Sequence, residues 1–244
     1  MAYDGSGLVG WQRQPTGTSV QALLEEALAP IAGGPVAVAG AGRTDAGVHA
    51  LAQVASVTIP RPVTALAVLQ SANMYLPPAV RVIAADEVDP AFHARFTAVA
   101  KRYRYRVWNS RVLDPFERNY AWHVPWPPLD VTAMREAAAR LIGTHDFAAF
   151  KGAGTDVETS VRTIFESAVI ETGEPGYGRL LTYEVRGDGF LRHMVRSIAG
   201  TLVEVGRGRR PVSSIDELLT LRDRASVGRT APAQGLFLVA VEYG

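Results

Sequence analysis

No cysteine occurs in the chain, which excludes disulfides, thiolate metal sites and cysteine nucleophiles and fits a cytosolic setting. No apolar run approaches the roughly 18 residues that a membrane-spanning helix needs, so no span is expected. A basic segment followed by an apolar run is also missing from the N-terminal residues, so no secretory leader is expected. The five histidines (His49, His93, His123, His145 and His193) are scattered, with no pair at metal-ligand spacing. The chain has no Gly-Lys-Ser/Thr phosphate loop, no His-Glu-x-x-His pair and no Gly-x-Ser-x-Gly elbow. Redox, phosphoryl-transfer and metal chemistry therefore lack visible equipment, and neither a cofactor nor a metal is expected.

Excess charge is lacking too, since 25 basic against 24 acidic residues leave a net charge of +1. Distribution says more than the total. From Ala91 to Leu113 the chain carries Arg95, Lys101, Arg102, Arg104, Arg106 and Arg111 and no acid. A second basic group, Arg186, Arg192, Arg196, Arg207, Arg209 and Arg210, is interrupted only by Asp188 and Glu204. Such runs are either solvated faces or phosphate-binding surfaces. Interleaved tyrosines and a tryptophan raise the nucleic-acid reading, because bases need stacking surfaces.

At 244 residues and 48% hydrophobic, the chain is long enough for one large domain or two small ones. Helical and strand-like periods alternate, which predicts an α/β or α+β fold. Thr18 or Ser19 caps a helix with apolar positions Val20, Leu23, Leu24, Ala27, Leu28 and Ile31. Strands are expected at Val36–Ala39, Gln53–Ile59 and Arg81–Val88, with a helix over residues 63–72 between the last two. Lys101–Trp108 alternates, with Tyr103, Tyr105 and Val107 on one face and Arg102, Arg104 and Arg106 on the other. Prolines between 109 and 129 mark the connection between an N-terminal half, 1–108, and a C-terminal half, 109–244. The second half is expected to hold a helix from Asp130 to about Ile142. Strands near Ile164–Thr172 and Arg179–Arg186 follow, then a long helix capped by Asp188 and ended by Gly206, and a last strand, Leu236–Tyr243.

The segment Gly40-Ala-Gly-Arg-Thr-Asp-Ala-Gly-Val-His-Ala50 is a glycine-punctuated loop between strands. Its glycines allow close backbone approach to a ligand. Asp45, two residues after Arg43, is either a turn residue bonding local amides or a held nucleophile. By periodicity Tyr103 is a buried strand tyrosine. Arg192 and Arg196 stand four apart on one face of the expected last helix, opposite its apolar stripe, and by spacing alone read as two solvated charges.

The run Arg43-Thr-Asp-Ala-Gly-Val-His49 closely resembles the catalytic loop of the TruA family of tRNA pseudouridine synthases. Further matches follow in family order: Tyr3-Asp-Gly-Ser6, Gly10-Trp-Gln-Arg-Gln14, Phe92-His-Ala-Arg-Phe96, Ala100-Lys-Arg-Tyr-Arg-Tyr105, Leu141-Ile-Gly-Thr-His-Asp-Phe147, Val161-Arg-Thr-Ile164, Phe190-Leu-Arg-His-Met-Val-Arg196 and Gly235-Leu-Phe-Leu238. The resemblance implies the pseudouridine synthase fold: two similar α/β halves sharing a mixed, largely antiparallel sheet flanked by helices. It implies Asp45 as nucleophile, Arg43 as a grip on the substrate strand, Tyr103 as the ring stacked on the flipped uracil, and Arg196 as the ion-pair partner of Asp45. Trp11, Arg13, Arg95 and Arg102 are candidate RNA contacts. The implied activity is isomerisation of uridines 38, 39 and 40 in the tRNA anticodon arm by a cytoplasmic homodimer without cofactor. Action on other RNA uridines, a non-catalytic RNA-binding relative and a nucleoside N-glycosidase are the alternatives. The last would need a water-activating partner, and the loop has no second carboxylate.

Overall fold

The computed structural model describes residues 1–152, 158–172 and 178–244. Its chain forms two compact units: Met1–Val99 with Phe237–Gly244, and Ala100–Leu236. The strand that the sequence assigns to the end of the first half thus lies in the second unit, and the last strand belongs to the first unit from Phe237 on.

In the first unit, β1 (Ala2–Tyr3) lies between β3 (His49–Ala50) and β5 (Val80–Arg81) and pairs antiparallel with both. On the far side of β3, β11 (Leu236–Tyr243) runs parallel, with Phe237 opposite His49 and Leu238 opposite Ala50. A separate hairpin joins β2 (Val38–Gly40) to β4 (Ala55–Val57). Ser19 accepts the Ala22 N–H and starts α1 (Val20–Ala32), which buries Val20, Leu24, Ala27 and Leu28. Thr64 caps α2 (Ala65–Tyr75) in the same way, and the two helices pack together. The strand expected over Arg81–Val88 is not formed beyond Arg81. The Asn73 side chain takes both backbone groups of Val82, accepting its N–H at 2.9 Å and donating to its carbonyl at 2.8 Å. Those groups therefore do not enter a ladder, and Ile83 is left exposed.

In the second unit, β6 (Ala98–Asn109), β10 (Arg179–Gly187), β9 (Val161–Thr172) and β8 (Gly143–Asp146) form an antiparallel sheet in that order. Tyr103, Tyr105 and Val107 occupy its buried face as the alternation predicts. The presumed connection holds a short strand, β7 (Trp122–Val124), parallel to the end of β6. Buried Asn109 locks it, donating to Val124 O at 2.9 Å and accepting from Leu129 N at 2.9 Å. Asp130 caps α3 (Val131–Ala139), which packs on α4 (Met194–Gly206) and β9; α5 (Ser214–Leu221) lies against β8. The last long helix starts at Met194, not after Asp188. Asp188 is committed to β9: its carboxylate accepts Thr163 N–H at 3.0 Å and its N–H donates to Thr163 O at 3.1 Å. The mixed, largely antiparallel α/β expectation is met, since β3–β11 and β6–β7 are the parallel pairs among those described.

Candidate active site

The first unit builds a rigid cradle around Asp45. At Gly10 the backbone takes φ +99°, and a Cβ there would lie 2.5 Å from Thr44 O and 2.9 Å from the Asp45 carbonyl carbon. Only glycine admits so close an approach. The neighbouring Trp11 N–H donates to Thr44 O at 3.0 Å, and Val48 N–H to Asp45 O at 3.1 Å, which closes a tight turn through Gly47 (φ +78°). Thr44 Oγ1 lies 2.8 Å from the Tyr3 hydroxyl. His49 is buried, accepts the Gly5 N–H on Nδ1 at 3.0 Å and stacks on Phe237 at 4.6 Å between centroids. The Tyr3–Ser6 and Gly10–Gln14 segments, separate matches in the sequence, are thus the walls of the Asp45 loop.

Asp45 itself is half-buried, while Arg43 is exposed and makes no ion pair among the described residues. Trp11, expected among the RNA contacts, is only 3% exposed. Its indole is wedged against Gly40, where a Cβ would come within 2.3 Å of the ring, so packing occupies it. Arg13 is exposed but engaged by Glu25 at 2.9 Å and Glu26 at 3.7 Å. Arg95 is exposed, with its guanidinium 5.4 Å from the centroid of the exposed Phe96 ring.

In the second unit, Tyr103 is buried and meets Phe190 edge-on, with centroids 5.1 Å apart. Phe190 opens the segment that ends in Arg196, so two sequence signatures meet in this contact. Arg196 lies in the first turn of α4 and is half-buried. Its Nε donates to Ala231 O at 2.8 Å. The loop carrying Ala231 sits directly on the helix: a Cβ at Gly200 would lie 1.8 Å from Arg229 O. The same loop receives the Tyr105 hydroxyl, which donates to Pro232 O at 2.7 Å. Burial pushes the Tyr105 phenol far above its ordinary pKa, against the opposing pull of the Arg196 charge.

Arg192 does not share a helix face with Arg196. It stands exposed in the turn before α4, and its carbonyl accepts Gly152 N–H at 2.7 Å. The following His193 has φ +62°, a left-handed conformation uncommon for a side-chain-bearing residue, and this turns the chain into the helix.

The acid-free basic strand is not free of acids in space. Arg102 lies 2.8 Å from Glu166 and 3.9 Å from Glu184, Arg104 is held by Glu184 at 2.7 Å, and Arg106 by Glu117 at 2.7 Å. Strand pairing brings Glu166 and Glu184 from β9 and β10, which sequence proximity could not reveal, and the loop after β6 brings Glu117. Sequence reasoning also missed Gln53, which is fully buried and contacts the Asp45 loop. Among the described residues no group of three or more His, Asp or Glu side chains could hold a metal ion, and no helix is long and apolar enough to cross a membrane.

A family model described as tRNA pseudouridine synthase matches residues 1–97 and 137–244. The relatives include a tRNA pseudouridine synthase A from Syntrophotalea carbinolica, 47% identical over 241 residues, spanning 99% of this chain and 93% of the relative. The proteins of that name from Myxococcus xanthus and Solibacter usitatus are each 48% identical, over 243 and 246 residues. Both alignments span 100% of this chain, and 90% and 97% of the respective relatives. These full-length alignments also span residues 98–136, where Tyr103 lies.

Proposed function

The chain belongs to the tRNA pseudouridine synthase family, and from that premise we propose how its residues share the reaction. The protein is an isomerase that converts uridine to pseudouridine in tRNA. The N1–C1′ bond breaks, the uracil turns, a C5–C1′ bond forms, and the proton lost from C5 is balanced by one gained at N1. Atoms and electrons balance within the substrate itself. The base must leave its stack to react.

Asp45 is the nucleophile, attacking either the anomeric carbon or the ring, and Arg43 grips the substrate strand. Tyr103 stacks on the flipped uracil. Arg196 is the cationic partner of Asp45, its planar guanidinium matched to a carboxylate. The targets are uridines 38, 39 and 40 of the anticodon arm, and the working form is a cytoplasmic homodimer. The observation that carries the reading is the Asp45 loop. Contacts from Gly10, Trp11 and Tyr3 fix the peptide that precedes the carboxylate, as a preorganised nucleophile requires.

The test is Asp45→Asn, assayed with nucleotide-resolution mapping of pseudouridine on tRNA. The amide keeps the shape and loses the charge, so product at 38–40 should vanish while tRNA binding, which rests on phosphate contacts, stays near wild type. Turnover within about tenfold of wild type, a loss too small for removal of a nucleophile, would overturn the assignment. Product at other uridines would relocate the target.

A further inference from the structure

Gln53 is fully buried on the segment that leads into β4. Its Nε2 donates to Gly42 O at 2.9 Å and to the Tyr3 hydroxyl at 3.3 Å, and its Oε1 accepts Val54 N–H at 3.2 Å. The carbonyl on one side and the amide N–H on the other fix which end of the side chain is nitrogen. The Tyr3 oxygen accepts from Gln53 and shares a hydrogen bond with Thr44 Oγ1, 2.8 Å away. Burial raises the Tyr3 pKa to about 12, which keeps the phenol protonated. Hydrogen bonds thus link Gln53, Tyr3 and Thr44 in one buried network.

Both residues flanking Arg43 are tied into this network, Gly42 through its carbonyl and Thr44 through its hydroxyl. The Thr44 carbonyl is separately bonded to Trp11 N–H. A buried amide and phenol are costly unless every partner is kept. An apolar pair would fill the same space, so the polar pair is informative about the loop it holds.

We propose that Gln53 and Tyr3 are positioning residues for Asp45, acting through Gly42 and Thr44 to set the direction of the Asp45 carboxylate. This rests on the reading of Asp45 as nucleophile. A misplacement of about 1 Å in a reacting group costs on the order of 100-fold in rate.

Full-length Tyr3→Phe, Gln53→Leu, Thr44→Val and Thr44→Ser are compared for single-turnover rate at saturating tRNA, tRNA Kd and Tm. Tyr3→Phe, Gln53→Leu and Thr44→Val should each slow the chemical step about 10- to 100-fold, with Kd within about twofold of wild type. Thr44→Ser, which restores the hydroxyl, should recover most of the rate. The double variant Tyr3→Phe/Gln53→Leu should be little slower than either single one, because both act on one network. Ser167→Ala removes a comparable buried hydroxyl contact, to Tyr183 on β10, and should lower Tm with the rate intact. Tyr3→Phe deletes one oxygen and keeps the ring, so it decides the matter. A lowered Tm with a wild-type rate in Tyr3→Phe would overturn the proposal. An active Asp45→Asn measured alongside would instead overturn the reading beneath it.

Discussion

Arg196 donates its Nε–H to Ala231 O at 2.8 Å, and Ala231 returns its N–H to Arg196 O at 3.1 Å. This reciprocal pair fixes the side chain at its root and the backbone from which it springs. A guanidinium anchored through Nε directs the rest of its planar fork, which a lysine could not reproduce. Gly200, one turn further along α4, lets the Ala231 loop lie directly on the helix.

Arg196→Met should therefore damage turnover far more than Arg192→Met. On the proposed assignment it removes the cationic partner of Asp45 and leaves a methionine that offers no charge and no hydrogen bond. Arg192 is exposed in the turn before α4 and offers its backbone carbonyl to Gly152, a contact that methionine keeps. Single-turnover rates of the two variants check this. Equal, mild losses would remove Arg196 from the chemistry.

Gly10→Ala probes the cradle without touching a reacting group. The new methyl would meet the Thr44–Asp45 backbone at 2.5–2.9 Å in a left-handed conformation, so either the loop shifts or the β1–α1 segment does. Strain of this kind costs about 1–3 kcal/mol. Tm should drop and the rate should fall with it, whereas Gly34→Ala, open to solvent around its Cβ, should alter neither. A fully active, fully stable Gly10→Ala would mean that the loop tolerates displacement.

How far the sequence was readable depended on the range of the interactions involved. The caps at Ser19 and Asp130, the alternation of β6 and the bounds of β11 were legible because neighbours a few residues apart determine them. The Asp45 loop was legible as a motif, while its cradle comes from Tyr3, Gly10 and Trp11, far earlier in the chain. Asp188 resembled a helix cap and instead bonds Thr163, 25 positions earlier. Gln53 looked like the first residue of a strand, and its importance lies in Tyr3, 50 positions away. The basic strand read as uncompensated for the same reason, since Glu166 and Glu184 reach it only through sheet register. Short elements such as β7, β8 and α5 carry too few residues for a period to show.

Tyr103→Phe should retain much more activity than Tyr103→Ala. Stacking needs the ring, and base–aromatic stacking is worth about 1–3 kcal/mol, roughly a tenfold to hundredfold effect. The edge-on contact with Phe190 holds the ring's orientation, so Phe190→Ala should fall between the two. Steady-state kinetics on one tRNA ranks all three. If Phe at 103 is as inactive as Ala, the hydroxyl takes part in the chemistry.

Binding of tRNA should weaken steeply with salt although the net charge is only +1, because each neutralised phosphate releases condensed counterions. The ion pairs sort which arginines contribute. Arg43 and Arg95 are exposed and unpaired with any acid among the described residues, and Arg95 lies over Phe96, a ring that is 75% exposed. Arg102 and Arg104 already face Glu166 and Glu184, so an RNA phosphate would have to displace a carboxylate to reach them. Charge reversal at Arg43 or Arg95 should therefore raise Kd and lower the slope of log Kd against log salt by about one unit each. Reversal at Arg102 or Arg104 should act mainly on stability, by up to about 1 kcal/mol from the lost surface pair, more where the new acid faces the old ones. Titrations of wild type and the four variants from low to high salt measure both effects. Equal changes in slope at Arg102 and Arg95 would show that the β6 ion pairs open to phosphate and return that strand to the RNA-binding surface.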